Sequence, residues 1–136
     1  MAQEAEDLRL DHVEAHAVDR AEVAKGLAEV PDPDDGGLAA AAAEMAMAGK
    51  IGVFLDEQAA GAIPLHAWLF GEDQARYLLA TALPEAILDA ASDASIPAAA
   101  IGNCCGDSFS VAGFSRPISE IRAAHEGWMP NFMSTV

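Results

Sequence analysis

Basic residues are scarce in this sequence. Its 136 residues include 7 Lys and Arg against 22 Asp and Glu, which gives a formal net charge of −15. A chain this acidic repels nucleic acid phosphates and anionic lipid, so we expect neither nucleic acid nor a membrane among its partners. Apolar runs are also short, far below the roughly 18 to 20 residues of a membrane helix, and the start has no secretory pattern. We therefore expect a cytoplasmic protein.

Cysteines and aromatic residues are few as well. Cys104 and Cys105 are adjacent, and a disulfide between neighbours is strained and closes almost no loop. Two thiols at one point also fall short of a four-ligand zinc site. Aromatic residues make up 6% of the chain, whereas 31 of its 136 residues are alanine. Alanine buries little area, so we expect a thin core that benefits from a neighbouring domain.

The length fits one domain. Residues 1–11 are acidic with little apolar periodicity and predict a frayed start, which leaves 12–136 as a single domain. Apolar positions from Val13 to Val30 fit an amphipathic helix or two short ones. Pro31 and Pro33 end that helix, because proline lacks the N–H that a helix interior needs.

The rest of the chain alternates between helical and strand patterns. Asp34 or Asp35 is the predicted N-cap of the strongest helix, Ser119 the predicted cap of the last one, and Arg122 is expected on the exposed end of that last helix. An α+β or α/β layered fold follows, with helices packed on a mixed sheet. The predicted helices are Leu38–Lys50, Leu65–Phe70, Pro84–Ala94 and Pro117–Glu126, and the predicted strands are Ile51–Leu55, Arg76–Ala82, Ala98–Gly102 and Ser108–Ala112.

Few residues have the spacing of a catalytic or metal site. His12 and His16 would lie one turn apart on the predicted helix, but without a third ligand a solvated helix face is favoured over a metal site. The Walker lysine, the Gly-x-Gly-x-x-Gly fingerprint and the Gly-x-Ser-x-Gly elbow are all missing from the sequence. No general base or nucleophile is assigned.

Two turns carry the remaining chemical interest. Gly36 and Gly37 stand at a predicted helix start, where backbone N–H groups and the helix dipole favour phosphate, with Mg²⁺ neutralising the local carboxylates. Their spacing favours the simpler interpretation, a capped helix with a tight turn. The Glu72–Arg76 segment precedes a predicted buried strand, and its charged groups either hold a ligand or pair to fix the turn.

A set of motifs in one order resembles a known family. The motifs are Asp35–Leu38, Leu69–Leu78 and Glu120–Pro130, with Ile101-Gly102 and Gly106-Asp107 between the last two. Together they resemble the C-terminal end of the large subunit of phosphoribosylformylglycinamidine synthase. The resemblance covers about Val23 to Met133. It implies an α+β fold of the aminoimidazole ribonucleotide synthetase C-terminal type.

The resemblance also implies a function. Members of this family use ATP and ammonia from glutamine to convert formylglycinamide ribonucleotide into its amidine in purine biosynthesis. The chain would be one part of that ligase, inactive alone, with the N-terminal ATP-binding domains and the glutaminase as partners and ATP and Mg²⁺ as cofactors. By position, Gly36, Gly37, Glu72, Gln74 and Arg76 would bind phosphate or nucleotide. Asp32 and Asp35 would bind the metal.

One motif departs from the family. The segment Pro31–Gly37 stands where the family usually reads His-Asp-Val-Ser-Asp-Gly-Gly, so the histidine and the serine are replaced and two prolines are added. Proline removes N–H donors that a strand would use. This departure supports an alternative function, a non-catalytic interaction or scaffold domain derived from the same family.

Overall fold

The computed structural model describes residues 10–16, 36–73 and 76–134. The described part holds six strands and four α-helices. The strands are β1 (Leu10–His16), β2 (Val53–Leu55), β3 (Arg76–Thr81), β4 (Ala98–Cys104), β5 (Ser108–Val111) and β6 (Phe114–Pro117). The helices are α1 (Gly37–Gly49), α2 (Leu65–Phe70), α3 (Pro84–Asp93) and α4 (Ile118–Met133), and a 3₁₀ helix spans Glu57–Ala60.

The strands form one mixed sheet in the order β3-β1-β4-β2-β5-β6. Only the β2 and β5 pair among these strands is parallel, and the other neighbours are antiparallel. The tight turn between β5 and β6 lets them pair directly, with Val111 opposite Phe114. This arrangement confirms the predicted α+β fold with helices packed on a mixed sheet.

The core forms between α1 and one face of the sheet. Alanines let α1 approach closely, and its buried face shares one core cluster with buried side chains from four strands. Leu78 and Leu79 are both buried although neighbouring residues of a strand point to opposite faces, so both faces of the sheet are covered at β3. The main core members are Leu38, Ala41, Ala42, Ala46, Val53, Leu55, Leu78, Ile101 and Val111.

The first predicted helix was wrong where the structure describes it. Residues 10–16 form β1, which pairs with β3 on one side and β4 on the other. Polar His12, Glu14 and His16 alternate with Val13 and Ala15, and this period of two is a strand signal. Leu10 and Asp11 therefore pair in the sheet instead of belonging to a frayed start, while the rest of the predicted helix lies outside the described residues.

Other boundaries shifted and two helix caps differ. The last helix continues to Met133, past the predicted end at Glu126 and through Pro130. Its N-cap is Pro117 with no side-chain hydrogen bond, so the predicted Ser119 cap was wrong. Likewise Gly36, not Asp34 or Asp35, is the N-cap of α1. The β6 strand and the 3₁₀ helix were missed by sequence reasoning.

Within the described ranges, no helix combines the length and the apolar character needed to cross a membrane.

Candidate functional site

The structure brings the two turns of interest into direct contact. The backbone N–H of Gly36 donates a hydrogen bond to Oε1 of Glu72 at 3.0 Å, across 36 residues of sequence. Gly36 is the N-cap of α1, and no acidic residue lies in the first turn of that helix. The Glu72 carboxylate therefore supplies the negative charge that stabilises the positive end of the α1 dipole.

Gly37 allows this contact because no side chain fits there. Its φ is +77°, which favours glycine, and a Cβ on it would lie 2.8 Å from the Leu69 carbonyl oxygen and from Phe70 backbone atoms. The first residue of α1 thus abuts the last turn of α2. The glycine pair fixes the distance between the two helices and places Gly36 beside Glu72.

Arg76 anchors the same turn through hydrogen bonds to backbone carbonyls of α2 and of the residue that follows it. It is 3% exposed, and its guanidinium donates to the Trp68 carbonyl through Nη1 and Nη2 and to the Gly71 carbonyl through Nη1, each at 3.3 Å. Asp73 lies 3.8 Å from Nη1, and its own side chain is exposed. Since the last carbonyls of a helix have no partner within it, Arg76 satisfies the C-terminal end of α2.

The C-terminal end of α1 is held in a similar way. Arg122 of α4 donates to the Met47 carbonyl through Nη2 and to Glu126 Oε1 through Nη1, the second bond measuring 3.1 Å. The expectation that Arg122 lies on an exposed helix end was therefore wrong, because its side chain is only 35% exposed and bridges two helices. Distant residues thus place a negative charge at the start of α1 and a positive charge at its end.

The predicted ligand residues divide into three groups. Gly36, Gly37 and Glu72 come together at the N-terminus of α1, and Arg76 lies beneath them against α2. Gln74, Asp32 and Asp35 lie outside the described residues. Sequence reasoning missed the Trp68 and Gly71 carbonyls as partners of Arg76, since backbone acceptors carry no sequence signal.

At the start of α1, one backbone N–H already binds a carboxylate, and several other N–H groups could bind an anion. The Gly36 N–H already binds a carboxylate oxygen, which takes the position that a phosphate oxygen would use at that amide. The first amides of α1 itself lie beyond Gly36 and have no acceptor within their own helix. A phosphate group at this point must bind those later amides or displace Glu72.

A complete set of ligands for the predicted magnesium ion is not found within the described part of the chain. Among residues 10–16, 36–73 and 76–134 there is no group of three or more His, Cys, Asp or Glu side chains that could hold a metal ion. Both predicted ligands, Asp32 and Asp35, lie outside these ranges. His12 and His16 lie on a strand, where four residues span about 13 Å of backbone, and not on adjacent helical turns.

A cleft of about 240 Å³ opens beside the Arg76 turn. Its wall is mostly apolar, and its charged side chains are Asp73 and Arg76. Because the Arg76 guanidinium already binds backbone carbonyls, the cleft offers one exposed carboxylate to a ligand. Its other lining residues are Ala59, Ile63, Ala67, Trp68, Pro97, Ala98, Ala99 and Ile101.

The sequence of the chain matches a family model described as the C-terminal domain of AIR synthase related proteins, over residues 3–112. It is 48% identical over 114 residues to the phosphoribosylformylglycinamidine synthase subunit PurL of Caulobacter vibrioides. It is 47% identical over 122 residues to the subunit of the same name from Parvibaculum lavamentivorans. These matches cover 82% and 85% of this chain but 15% and 16% of the relatives. The chain thus spans about a sixth of their length.

Two solved structures share the fold. The structure described as T. maritima PurL complexed with ATP has a TM-score of 0.65 and 15% identity, and that of PurLQS from Thermotoga maritima has 0.63 and 16%. Each match covers 81% of this chain and 25% of the other.

Proposed function

Because the chain belongs to the family of AIR synthase related C-terminal domains, we propose that it works as the C-terminal part of a phosphoribosylformylglycinamidine synthase. The whole enzyme is an ATP- and glutamine-dependent ligase that converts formylglycinamide ribonucleotide into its amidine. The observation that carries this proposal is the 48% identity to the Caulobacter vibrioides subunit over 82% of the chain. The family match also includes both turns that meet at the start of α1.

The proposed role of these residues is to form one wall of a phosphate pocket. Gly36, Gly37 and Glu72 fix the start of α1, and Arg76 holds the turn that carries Glu72 in place. The first amides of α1 then point from a rigid frame towards an anion. Gln74 is proposed to extend the same wall.

The other ligands and partners are proposed from the family. ATP supplies the phosphoryl group, and Asp32 and Asp35 are the proposed ligands of its Mg²⁺. The ATP-binding domains of the synthase would complete the pocket, and a glutaminase would deliver ammonia. A cytoplasmic location and inactivity of the isolated chain follow from the same proposal. The match to a structure described as an ATP complex supports ATP as the nucleotide.

A scaffold domain without catalytic role is the second candidate. It is favoured by Glu72, whose carboxylate occupies the Gly36 amide that a phosphate could otherwise bind. The two prolines in Pro31–Gly37 point the same way, because they remove backbone donors from the adjoining segment.

Genetic complementation separates the two functions. A purine-requiring bacterial strain would carry the Caulobacter vibrioides subunit without the segment aligned to this chain, and the chain would be expressed beside it. Growth without added purine supports the synthase function. Normal expression of both pieces without growth, together with their stable association, favours the scaffold.

A further inference from the structure

The second half of α4 exposes a cluster of large apolar side chains. Trp128, Met129, Phe132 and Met133, named here the α4 patch, are 63%, 56%, 55% and 64% exposed. The Trp128 and Phe132 rings stack with centroids 5.6 Å apart and planes 6° from parallel. A stacked, exposed aromatic pair beside two methionines is typical of a protein contact surface.

The patch continues the face by which α4 packs on the domain. Ile118 and Ile121 near the start of α4 lie against the core. At about 100° of rotation per residue, Trp128 and Met129 project from the same side of the helix as these two isoleucines. The face therefore runs from a buried half, fixed by Arg122 to α1, into an exposed half.

Area and charge decide which occupant fits. Side chains of this size, each a little more than half exposed, make a patch on the order of 400 Å². A stable dimer buries roughly 800 Å² on each partner, whereas contacts between domains of one chain can be smaller. A second copy would also bring another charge of −15, and an anionic membrane would repel the chain in the same way.

We propose that the α4 patch docks onto the part of the synthase outside the segment aligned to this chain, in an apolar groove rimmed by basic residues. This inference rests on the proposed function, since it takes the rest of the synthase as the partner. The relatives supply ample chain for such a groove, because this sequence matches only 15% to 16% of their length. Docking would cover the aromatic pair and complete the thin core.

Binding to a shortened relative tests the proposal. The probe is the Caulobacter vibrioides subunit without its aligned segment, titrated by calorimetry with the full 136-residue chain. Replacing Trp128 and Met129 together by Ser should raise the Kd at least about tenfold. Leu83→Ser is the matched control, because Leu83 is 69% exposed on a different element, and it should leave the Kd within about twofold.

A chimera keeps the test decisive if the shortened subunit does not fold. In the full-length Caulobacter vibrioides subunit with this chain in place of its aligned segment, the double substitution should lower the melting temperature and Leu83→Ser should not. Hydrogen exchange should show residues 128–133 protected in the chimera and open in the isolated chain.

Several results would overturn the proposal. Equal affinity of the double variant and the wild type would do so, as would exchange at residues 128–133 that is equally fast in the chimera. A wild-type dimer that the double substitution makes monomeric would assign the patch to a second copy. Patch-dependent sedimentation with anionic vesicles would assign it to a membrane. Binding that depends on the α4 patch, but without amidine formation, would support the docking surface. That result would count against the proposed function instead.

Discussion

Arg76 should contribute far more to stability than Arg122, although both bind helix C-terminal carbonyls. Replacing Arg76 by Ala leaves the buried Trp68 carbonyl and the Gly71 carbonyl without this donor. An unsatisfied buried acceptor costs about 1 to 3 kcal/mol, so the loss is about 3 kcal/mol, with the lost packing of the arginine stem included. For a domain of this size that corresponds to a fall in melting temperature of about 10 °C.

Arg122→Ala is the matched comparison. Its side chain is 35% exposed, and water can reach the Met47 carbonyl and Glu126 once the guanidinium is gone. The expected cost is about 1 kcal/mol, or about 3 °C. Urea unfolding followed by circular dichroism gives both free energies on the isolated chain. Arg76→Lys should fall between the wild type and Arg76→Ala, because one ammonium cannot reproduce the planar fork.

Equal losses for the two alanine variants would refute this reasoning. They would show that the Arg76 hydrogen bonds are no stronger than those of the partly exposed Arg122. They would also show that Arg76 does not anchor the turn that carries Glu72.

The remaining predictions concern the same helix and the two thiols. Gly37→Ala should cost at least about 3 kcal/mol by urea unfolding, because its Cβ would meet α2 backbone, whereas Gly61→Ala has a positive φ but open space and should cost about 1 kcal/mol; equal costs would contradict the close approach. Glu72→Gln should lower the unfolding free energy by about 0.5 to 1 kcal/mol through the lost charge at the helix start, and no change would contradict that role. In a thiol titration, Cys105 should react at once and buried Cys104 only on unfolding, so two fast thiols would contradict the burial of Cys104.

Local sequence signals predicted most of the elements. The alanine-rich run at 38–50 and the proline at position 84 mark α1 and α3 correctly, because helix propensity and a first-turn proline act over a few residues. Strand β1 was mistaken for a helix because its alternation is short and is followed by residues with a helical period. Its place between β3 and β4 comes from tertiary pairing.

The contacts of the candidate site could be predicted only in part. The residue types in Gly36–Gly37 and Glu72–Arg76 drew attention to both turns, but the hydrogen bond between Gly36 and Glu72 spans 36 residues and has no local signal. The same holds for Arg122, whose acceptor is a backbone carbonyl 75 residues away. Such contacts depend on how the helices pack, and a single sequence does not encode packing in a readable pattern.

Amidine formation by purified components tests most directly whether this chain is one part of a larger synthase. The assay combines formylglycinamide ribonucleotide, ATP, Mg²⁺ and an ammonia source with the chain, with the shortened Caulobacter vibrioides subunit, or with both. Product should form only in the mixture. Asp35→Ala should lower the rate of product formation below that of the wild-type mixture, since Asp35 is a proposed metal ligand. Product from the chain alone, or a stably associated mixture that forms none, would contradict this function.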